Sequence, residues 1–168
     1  MEKINNLKDL LIEQVKELYN AEKQQIGALI DMVPRANSSD LVLAIENHVV
    51  TTEQQINRLE KIATLLTVSS FGEHSDSMEG LIREGFKLIS RTADKEIMDA
   101  ALITTIQYIK HFEIAGYGSA CTYANELQFK DIADLLHYSL MEEKEFDAEL
   151  TKMAKEKVNK KAKEPLIS

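Results

Sequence analysis

The sequence predicts an all-α fold, a four-helix bundle with a long connection between the second and third long helices that carries a short extra helix. Apolar residues recur at steps of three and four in four long stretches, which is the spacing of amphipathic helices. Only two prolines and six glycines occur among 168 residues, so few positions interrupt a helix. We expect a single domain over residues 1–158 and a lysine-rich, disordered tail over residues 159–168.

The first two long helices are predicted at about Ile4–Val33 and Asp40–Leu66. Proline disfavours helix in the residue before it, so Pro34 ends the first helix, and Asn37–Ser39 supply N-cap chemistry for the second. Their core-facing stripes are Leu7, Leu11, Val15, Leu18, Glu22, Ile26, Leu29 and Val33, then Leu41, Ile45, His48, Thr52, Ile56, Leu59, Ala63 and Leu66.

A short helix is predicted next, at about Asp76–Ser90, with Asp76 and Glu79 spaced as a capping box, after a break at Ser69–Gly72. This connection between the second and third long helices holds nearly thirty residues, and a helix of that length spans about 40 Å. The connection can therefore return along the bundle, as the single crossover of ferritin-like bundles does. The alternative is an up-down bundle with an extra packed helix.

The last two long helices are predicted at about Lys95–Leu127, with Asp94 as N-cap, and at about Lys130–Val158. Gly116 and Gly118 lie inside the third helix, where each costs about 1 kcal/mol against alanine. Close approach of a neighbouring helix is the expected reason. The two stripes are Leu102, Ile103, Ile106, Lys110, Glu113, Tyr117 and Ala120, then Ile132, Leu136, Ser139, Glu143, Asp147, Leu150 and Ala154.

The charge distribution argues against several classes of partner. The net charge is −8, although residues 155–168 hold five Lys and two Glu. An acidic body repels nucleic acid and anionic membranes, so neither is expected as a partner. The N-terminus lacks a hydrophobic signal core and Cys121 is the only cysteine, so we expect a reducing, cytoplasmic setting.

Polar residues interrupt the apolar stripes near the middle of all four long helices. They are Glu22, His48, Thr52, Lys110, Glu113, Glu143 and Asp147. Burying an unpaired charge is expensive, so these side chains must either pair with each other or gather around a bound cation. Carboxylates with one imidazole suit iron, manganese or zinc, and spacing alone leaves both interpretations open.

Several segments in this order resemble the ferritin-like bacterial stress proteins of the YciE/YciF family, over about residues 7–155. The matching segments are Leu18-Tyr19-Asn20-Ala21-Glu22-Lys23-Gln24, His48 with Thr52, Gln55 and Arg58-Leu59-Glu60, Met78-Glu79-Gly80-Leu81-Ile82, Asp99-Ala100-Ala101-Leu102-Ile103, His111-Phe112-Glu113-Ile114-Ala115-Gly116-Tyr117-Gly118, and Glu142-Glu143-Lys144 with Asp147. The resemblance implies a ferritin-like bundle, commonly dimeric, with a two-metal carboxylate site and a link to stress responses. The family's central polar positions correspond here to Glu22, His48, Glu113, Glu143 and Asp147.

Two positions depart from the family pattern. Members often carry an acid three residues after the histidine, where this chain has Thr51, and Glu-His-Tyr-Glu where this chain has Lys110-His111-Phe112-Glu113. A charged lysine has no lone pair and cannot ligate a metal. We therefore expect that Lys110 takes the place of one metal, bridging Glu113 and a neighbouring carboxylate, and that iron or manganese binds at reduced stoichiometry or not at all.

Four functions follow as hypotheses. The first is a stress-associated structural or interaction protein, a homodimer, with a degenerate metal site. The second is a di-metal carboxylate protein of iron or manganese that handles oxygen or peroxide. An iron store would need a shell of many subunits, and a DNA-protecting bundle is disfavoured by the acidic body.

Overall fold

The computed structural model describes residues 3–68, 71 and 74–163, and in these ranges every regular element is helical. The helices are α1 (Leu7–Met32), α2 (Ser39–Leu66), α3 (Asp76–Ser90), α4 (Lys95–Glu126), α5 (Lys130–Met153) and α6 (Asn159–Lys163). A 3-10 turn (Val33–Arg35) follows α1, and a π-helical turn (Ala154–Val158) joins α5 to α6. None of the described helices is both long and apolar enough to cross a membrane.

The four long helices form a ring in the order α1, α2, α5, α4, and neighbours in the ring run antiparallel. The direction follows from pairs of contacts whose residue numbers rise along one helix and fall along the other. Between α1 and α4 these contacts are Glu22–Tyr117 and Gln25–Glu113, and between α2 and α5 they are His48–Phe146 and Arg58–Ser139. Between α4 and α5 they are Lys110–Glu143 and Cys121–Ala133. The diagonal helices α2 and α4 consequently point the same way. The connection over residues 67–94 therefore crosses the length of the bundle, which confirms the predicted ferritin-like topology over the up-down alternative.

Most of the apolar core lies in two layers at opposite ends of the bundle, and a small third cluster of Ala21, Met78 and Ile109 joins α3 to α1 and α4. One layer contains Leu11, Val15, Leu18, Leu59, Ile62, Leu66, Tyr117, Ala120, Ile132 and Leu136. The other contains Leu29, Met32, Leu41, Ile45, Ile89, Leu102, Ile103, Ile106, Phe146 and Leu150. Of the polar residues that interrupt the predicted stripes, all but Asp147 are buried between these two layers.

The helix ends match the predictions to within a few residues, but their caps differ in two places. Asp94 caps α4 as predicted, accepting from the amides of Glu96 and Ile97. The N-cap of α3 is Ser75, whose Oγ accepts from the amide of Met78, and the predicted box of Asp76 and Glu79 is not formed.

The start of α2 is held by a residue from another helix. Asp99, buried on α4, accepts from the amides of Asn37 at 2.7 Å and Ser38 at 2.9 Å. The side chain of Ser38 makes no capping bond itself. The turn between α1 and α2 is therefore tied to the first turns of α4, which sets the register of the bundle at this end.

Glycines permit close helix approach at two positions. A Cβ added at Gly116 would lie 2.8 Å from Leu18 Cδ2, as the sequence predicted, whereas one at Gly118 would meet nothing within 4 Å, so that prediction is wrong. At Gly85 of α3 a Cβ would lie only 2.1 Å from Thr105 Cγ2. Gly85 thus allows the crossover helix to pack tightly on α4.

The C-terminal helix continues past its predicted end. After the π turn, which buries Val158, α6 runs to Lys163, so residues 159–163 are helical where a disordered tail is predicted. Residues 164–168 of that tail lie outside the described residues, as do 69, 70 and 72 of the predicted break before α3.

Candidate functional site

The candidate site is a layer of buried polar side chains between the two apolar layers. All four long helices contribute to it, and α1, α4 and α5 each contribute an acid. Its members, each at most 3% exposed, are Glu22, Gln25, His48, Thr52, Gln55, Lys110, Glu113, Ser139 and Glu143. So many polar groups in a bundle core require mutual pairing or a ligand, because an unpaired buried polar group is costly.

The ammonium of Lys110 lies at the centre of this layer. Its Nζ is 2.6 Å from Glu113 Oε2 and 2.7 Å from Glu143 Oε2. It is also 2.8 Å from Gln25 Oε1 and 2.8 Å from His48 Nε2. The two carboxylate oxygens have no other hydrogen-bond partner within the described residues. The predicted bridge by Lys110 from Glu113 to a neighbouring carboxylate is therefore present, and the neighbour is Glu143.

Gln25 joins the carboxylates of α1 and α4. Its amide nitrogen donates to Glu22 Oε2 and to Glu113 Oε1, while its oxygen accepts from Lys110. Glu22 also accepts at Oε1 from the hydroxyl of Tyr117, at 2.6 Å. Sequence reasoning missed Gln25 and placed Ile26 in the core, although Ile26 is only half-buried. Counting a period of 3.5 residues from Leu11 through Glu22 reaches residue 25, and that signal could have found it.

The α2 side of the layer consists of His48, Thr52 and Gln55. The His48 ring stacks on Phe146 with centroids 3.9 Å apart, and its Nε2 lies 3.4 Å from Glu143 Oε1. Gln55 Nε2 donates to the same Glu143 oxygen at 2.7 Å. Gln55, which belongs to one of the segments that resemble the family, is fully buried and donates to the central carboxylate. Thr52 Oγ1 and Gln55 Oε1 have no partner among the described residues.

The electrostatics favour an ammonium–carboxylate pair at the centre. Burial alone would raise the pKa of Glu143 and lower that of Lys110. The Lys110 charge, with His48, nevertheless holds the pKa of Glu143 well below its usual range. The carboxylates of Glu113, Glu143 and Glu22 raise the pKa of Lys110 in turn. Both groups therefore stay charged at neutral pH.

The other two carboxyls and the imidazole tend to be neutral. Burial and the charge of Glu143 raise the pKa of Glu22 to about 7, and burial with the charge of Glu22 raises that of Glu113 well above its usual value. Burial and the nearby Lys110 lower the pKa of His48 to about 4. A neutral His48 can accept a hydrogen bond from Lys110 at Nε2, which fits the 2.8 Å contact.

Asp147 lies outside this group. It accepts from Gln107 Nε2 at 3.0 Å and is 3.3 Å from the exposed His111. The sequence placed Asp147 at core-facing phase four residues after Glu143, but Phe146, three residues after it, is the residue that enters the core. Moving four residues along an α-helix rotates the side-chain direction by about 40° beyond one full turn. This rotation is enough to bring Asp147 from the core-facing side of α5 to the margin of that side.

A family model described as a domain of unknown function, DUF892, matches residues 6–163. The chain belongs to this family. It is 35% identical over 160 residues to the protein YciF of Escherichia coli strain K12, covering 95% of this chain and 96% of YciF. Membership agrees with the resemblance drawn from the sequence segments.

Solved structures of family relatives have the same fold. The E. coli stress protein YciF superimposes with a TM-score of 0.88 at 34% identity, over 94% of this chain and 99% of its own. YcfI of Rhodopseudomonas palustris, for which a structural role has been suggested, gives a TM-score of 0.86 at 33% identity, over 89% and 96%. A protein of Xanthomonas campestris at 20% identity has a TM-score of 0.69 and supports the fold alone.

The donor set of this DUF892 member does not fit a two-metal carboxylate centre. Such centres in ferritin-like bundles take a Glu from each of two helices and a Glu-x-x-His from each of the other two. The sequence contains no Glu-x-x-His. The core-facing pairs at that spacing are Glu22 with Gln25, Thr52 with Gln55, Lys110 with Glu113, and Glu143 with Phe146.

Three carboxylates remain close enough to share one cation. Oxygens of Glu22, Glu113 and Glu143 lie within 4.8 Å of one another. The Lys110 ammonium, however, already contacts two of these three carboxylates. A metal ion at the same place would have to displace it.

Proposed function

We propose that this chain is a stress-associated member of its family that acts as a structural or interaction protein, with a degenerate metal site whose core is closed by Lys110 instead of by metal ions. The observation that carries the proposal is the position of Lys110 Nζ, within 2.8 Å of Glu113, Glu143, Gln25 and His48. An ammonium has three N–H donors, so these four neighbours saturate it. A metal ion between Glu113 and Glu143 would have to displace this ammonium.

The proposal accounts for the buried charges without any ligand. A buried ion pair offsets its desolvation only when its geometry is good and its other hydrogen bonds are made. Here Gln25, Gln55 and His48 supply those bonds to the carboxylates and the ammonium. A core of this kind is complete once the chain has folded, which suits a protein whose role is to present surfaces.

We also propose a cellular location, an oligomeric state and a class of excluded partner for this protein. We place it in the cytoplasm as a homodimer that does not bind nucleic acid. The net charge of −8 supports the last point, since phosphate backbones repel acidic surfaces. The stress role of the E. coli relative and the structural role suggested for the R. palustris relative are in keeping with this function.

The experiment that tests the proposal is elemental analysis of protein purified from cells grown with added iron and manganese. We expect clearly less than one metal ion per chain. Two ions per chain would overturn the proposal. The variant Lys110→Met, purified in parallel, is the matched comparison, because it removes the ammonium and keeps a side chain of similar length.

The alternative function is a carboxylate protein of iron or manganese that handles oxygen or peroxide. The proximity of Glu22, Glu113 and Glu143 favours it, because these three oxygens can hold one hard cation. One ion per chain in the unmodified protein, lost in Glu113→Gln and retained in the surface variant Glu53→Gln, would favour this alternative over a closed ammonium core.

A further inference from the structure

A groove follows α5 on the outside of the bundle. Two of its cavities lie in the seam between α2 and α5, and the third is lined by α5 alone. Three adjoining cavities of about 360, 190 and 340 Å³ share lining residues: Ala44, Asn47 and Glu149 are common to the first two, and Glu142 and Glu145 to the last two. Along α5 and the π turn the lining runs from residue 134 to residue 157. We call this surface the α2–α5 groove. At 1.5 Å per residue it is about 35 Å long, the length of a helix of roughly 23 residues.

Apolar side chains that are open to solvent line the first and third cavities, at opposite ends of the groove, and together we call them its apolar floor. Leu43 of α2 is 58% exposed, and Tyr138 and Met141 of α5 are 60% and 40% exposed. The Tyr138 ring is backed by the Arg58 guanidinium, 4.7 Å from the ring centroid, so the ring is held in place. Aromatic and methionine side chains are enriched at protein interfaces.

The rim of the groove carries an excess of negative charge. Asp40 is paired with Lys157, and Glu142 is paired with Arg58. Four more acids line the cavities without an ion pair in the described part of the chain: Asp134, Glu145, Glu149 and Glu156. Only Lys152 and His137 stand among them as possible countercharges.

We propose that the α2–α5 groove docks a cationic amphipathic helix of a partner protein. The apolar floor accepts the helix's apolar stripe, and the acidic rim faces its Lys or Arg flanks, which is the helix-in-groove mode of recognition. A second copy of this chain fits poorly here, because a two-fold contact would bring the same four acids of each copy together. The proposal specifies the interaction part of the proposed function and does not depend on the metal content of the core.

The test uses the full chain and a defined probe. The probe is a fluorescein-labelled, 18-residue helical peptide with a leucine stripe flanked by lysines, and its matched control has glutamate in place of lysine. Fluorescence anisotropy at 50 and 150 mM salt measures binding. We expect the lysine peptide to bind, more weakly at the higher salt, and the glutamate peptide not to bind.

Two pairs of surface variants locate the contact. Glu145→Gln with Glu149→Gln removes two rim charges, and we expect about tenfold weaker binding of the lysine peptide. Glu53→Gln with Glu126→Gln removes two exposed charges outside the groove and should change the affinity by less than about twofold. Equal losses in both pairs would mean unspecific attraction to an acidic protein and would overturn the proposal.

The apolar floor and the second copy are tested separately. Leu43→Ser with Tyr138→Ser should also weaken binding about tenfold, since both side chains are exposed and the fold does not depend on them. If the mass in solution is that of a dimer, and these two substitutions convert it to a monomer, the groove is occupied by a second copy and the proposal is wrong. Metal content is unaffected by either result, so failure here is distinct from failure of the proposed function.

Discussion

The Lys110 ammonium of α4 lies 2.7 Å from Glu143 Oε2 of α5, with both side chains fully buried. This pair joins two helices across the middle of the bundle, where ferritin-like proteins place metal ligands. Since each group holds the other in its charged state, the change in stability on removing either Lys110 or Glu143 depends on whether the other charge remains.

Lys110→Met should destabilise the protein by about 3–5 kcal/mol, because it leaves Glu143 charged and buried without its countercharge. Urea unfolding followed by circular dichroism measures the loss. The matched control is Lys144→Met on the exposed face of α5, which should change the free energy of unfolding by less than about 0.5 kcal/mol. A loss below about 1 kcal/mol in Lys110→Met would contradict the assigned ion pair.

The double variant Lys110→Met with Glu143→Gln should be more stable than the sum of the two single effects predicts. Removing both charges leaves no unpaired ion at the centre of the layer. A double-mutant cycle measured by urea unfolding should give a coupling of at least about 1.5 kcal/mol. Additive effects would mean that the two side chains do not interact.

The stability of the protein should depend on Glu22 between pH 4.5 and 7. Its pKa is raised from 4.5 to about 7 in the fold, so the folded state holds a proton that the unfolded chain releases. The contribution of Glu22 to the free energy of unfolding is therefore fully present below pH 4.5 and is lost as the pH rises through 7. The loss is roughly 3 kcal/mol, at 1.36 kcal/mol per pKa unit.

The pH test compares the wild type with Glu22→Gln by urea unfolding at a series of pH values. The stability advantage of the wild type should shrink by roughly 3 kcal/mol from pH 4.5 to 7.5. His48 acts in the opposite sense, since its pKa falls to about 4 and its contribution is lost as the pH falls from 6.5 to 4. In the wild type, the pH dependence of stability that comes from His48 therefore partly cancels the one that comes from Glu22. Only the difference in stability between the wild type and Glu22→Gln reports on Glu22. Parallel curves would refute the assignment.

Gly85→Ala should destabilise the packing of α3 on α4 by about 1–3 kcal/mol, because the added methyl overlaps Thr105. Gly80→Ala in the same helix meets nothing within 4 Å and should stabilise the protein by up to about 1 kcal/mol. Thermal unfolding of the two variants side by side measures the difference. Equal midpoints would show that Gly85 is not a contact point.

Most of the fold follows from local signals in the sequence. The apolar period, Pro34, and the N-cap at Asp94 predict five of the helices to within three residues at all but one end. The π turn after Met153 and the role of Asp99 could not be predicted, because each depends on contacts with another helix.

The candidate site was predictable where its residues are charged. Glu22, His48, Lys110, Glu113 and Glu143 stand out because charges are rare at core-facing positions. Gln25 and Gln55 did not stand out, since an amide is unremarkable in a helix until its partners are known. Asp147 was wrongly predicted to face the core, because a single sequence cannot distinguish a side chain that lies about 40° around the helix from Glu143 from one that points in the same direction.

Lys110→Glu with Thr51→Glu should increase binding of iron or manganese, because it removes the ammonium and restores two carboxyl groups to the family pattern. Elemental analysis should find at least one more ion per chain than in the wild type. Lys110→Gln with Thr51→Gln is the matched control, and it should give no such gain. Equal metal content in both double variants would mean that the site is not around Lys110.

Anomalous diffraction tests the central claim most directly, with crystals of protein purified from cells grown with added iron and manganese. Our account predicts that density for Lys110 Nζ lies between Glu113 and Glu143 and that no anomalous peak stands there. Two peaks about 3.5–4 Å apart between Glu22, Glu113 and Glu143, with Lys110 turned away, would contradict it.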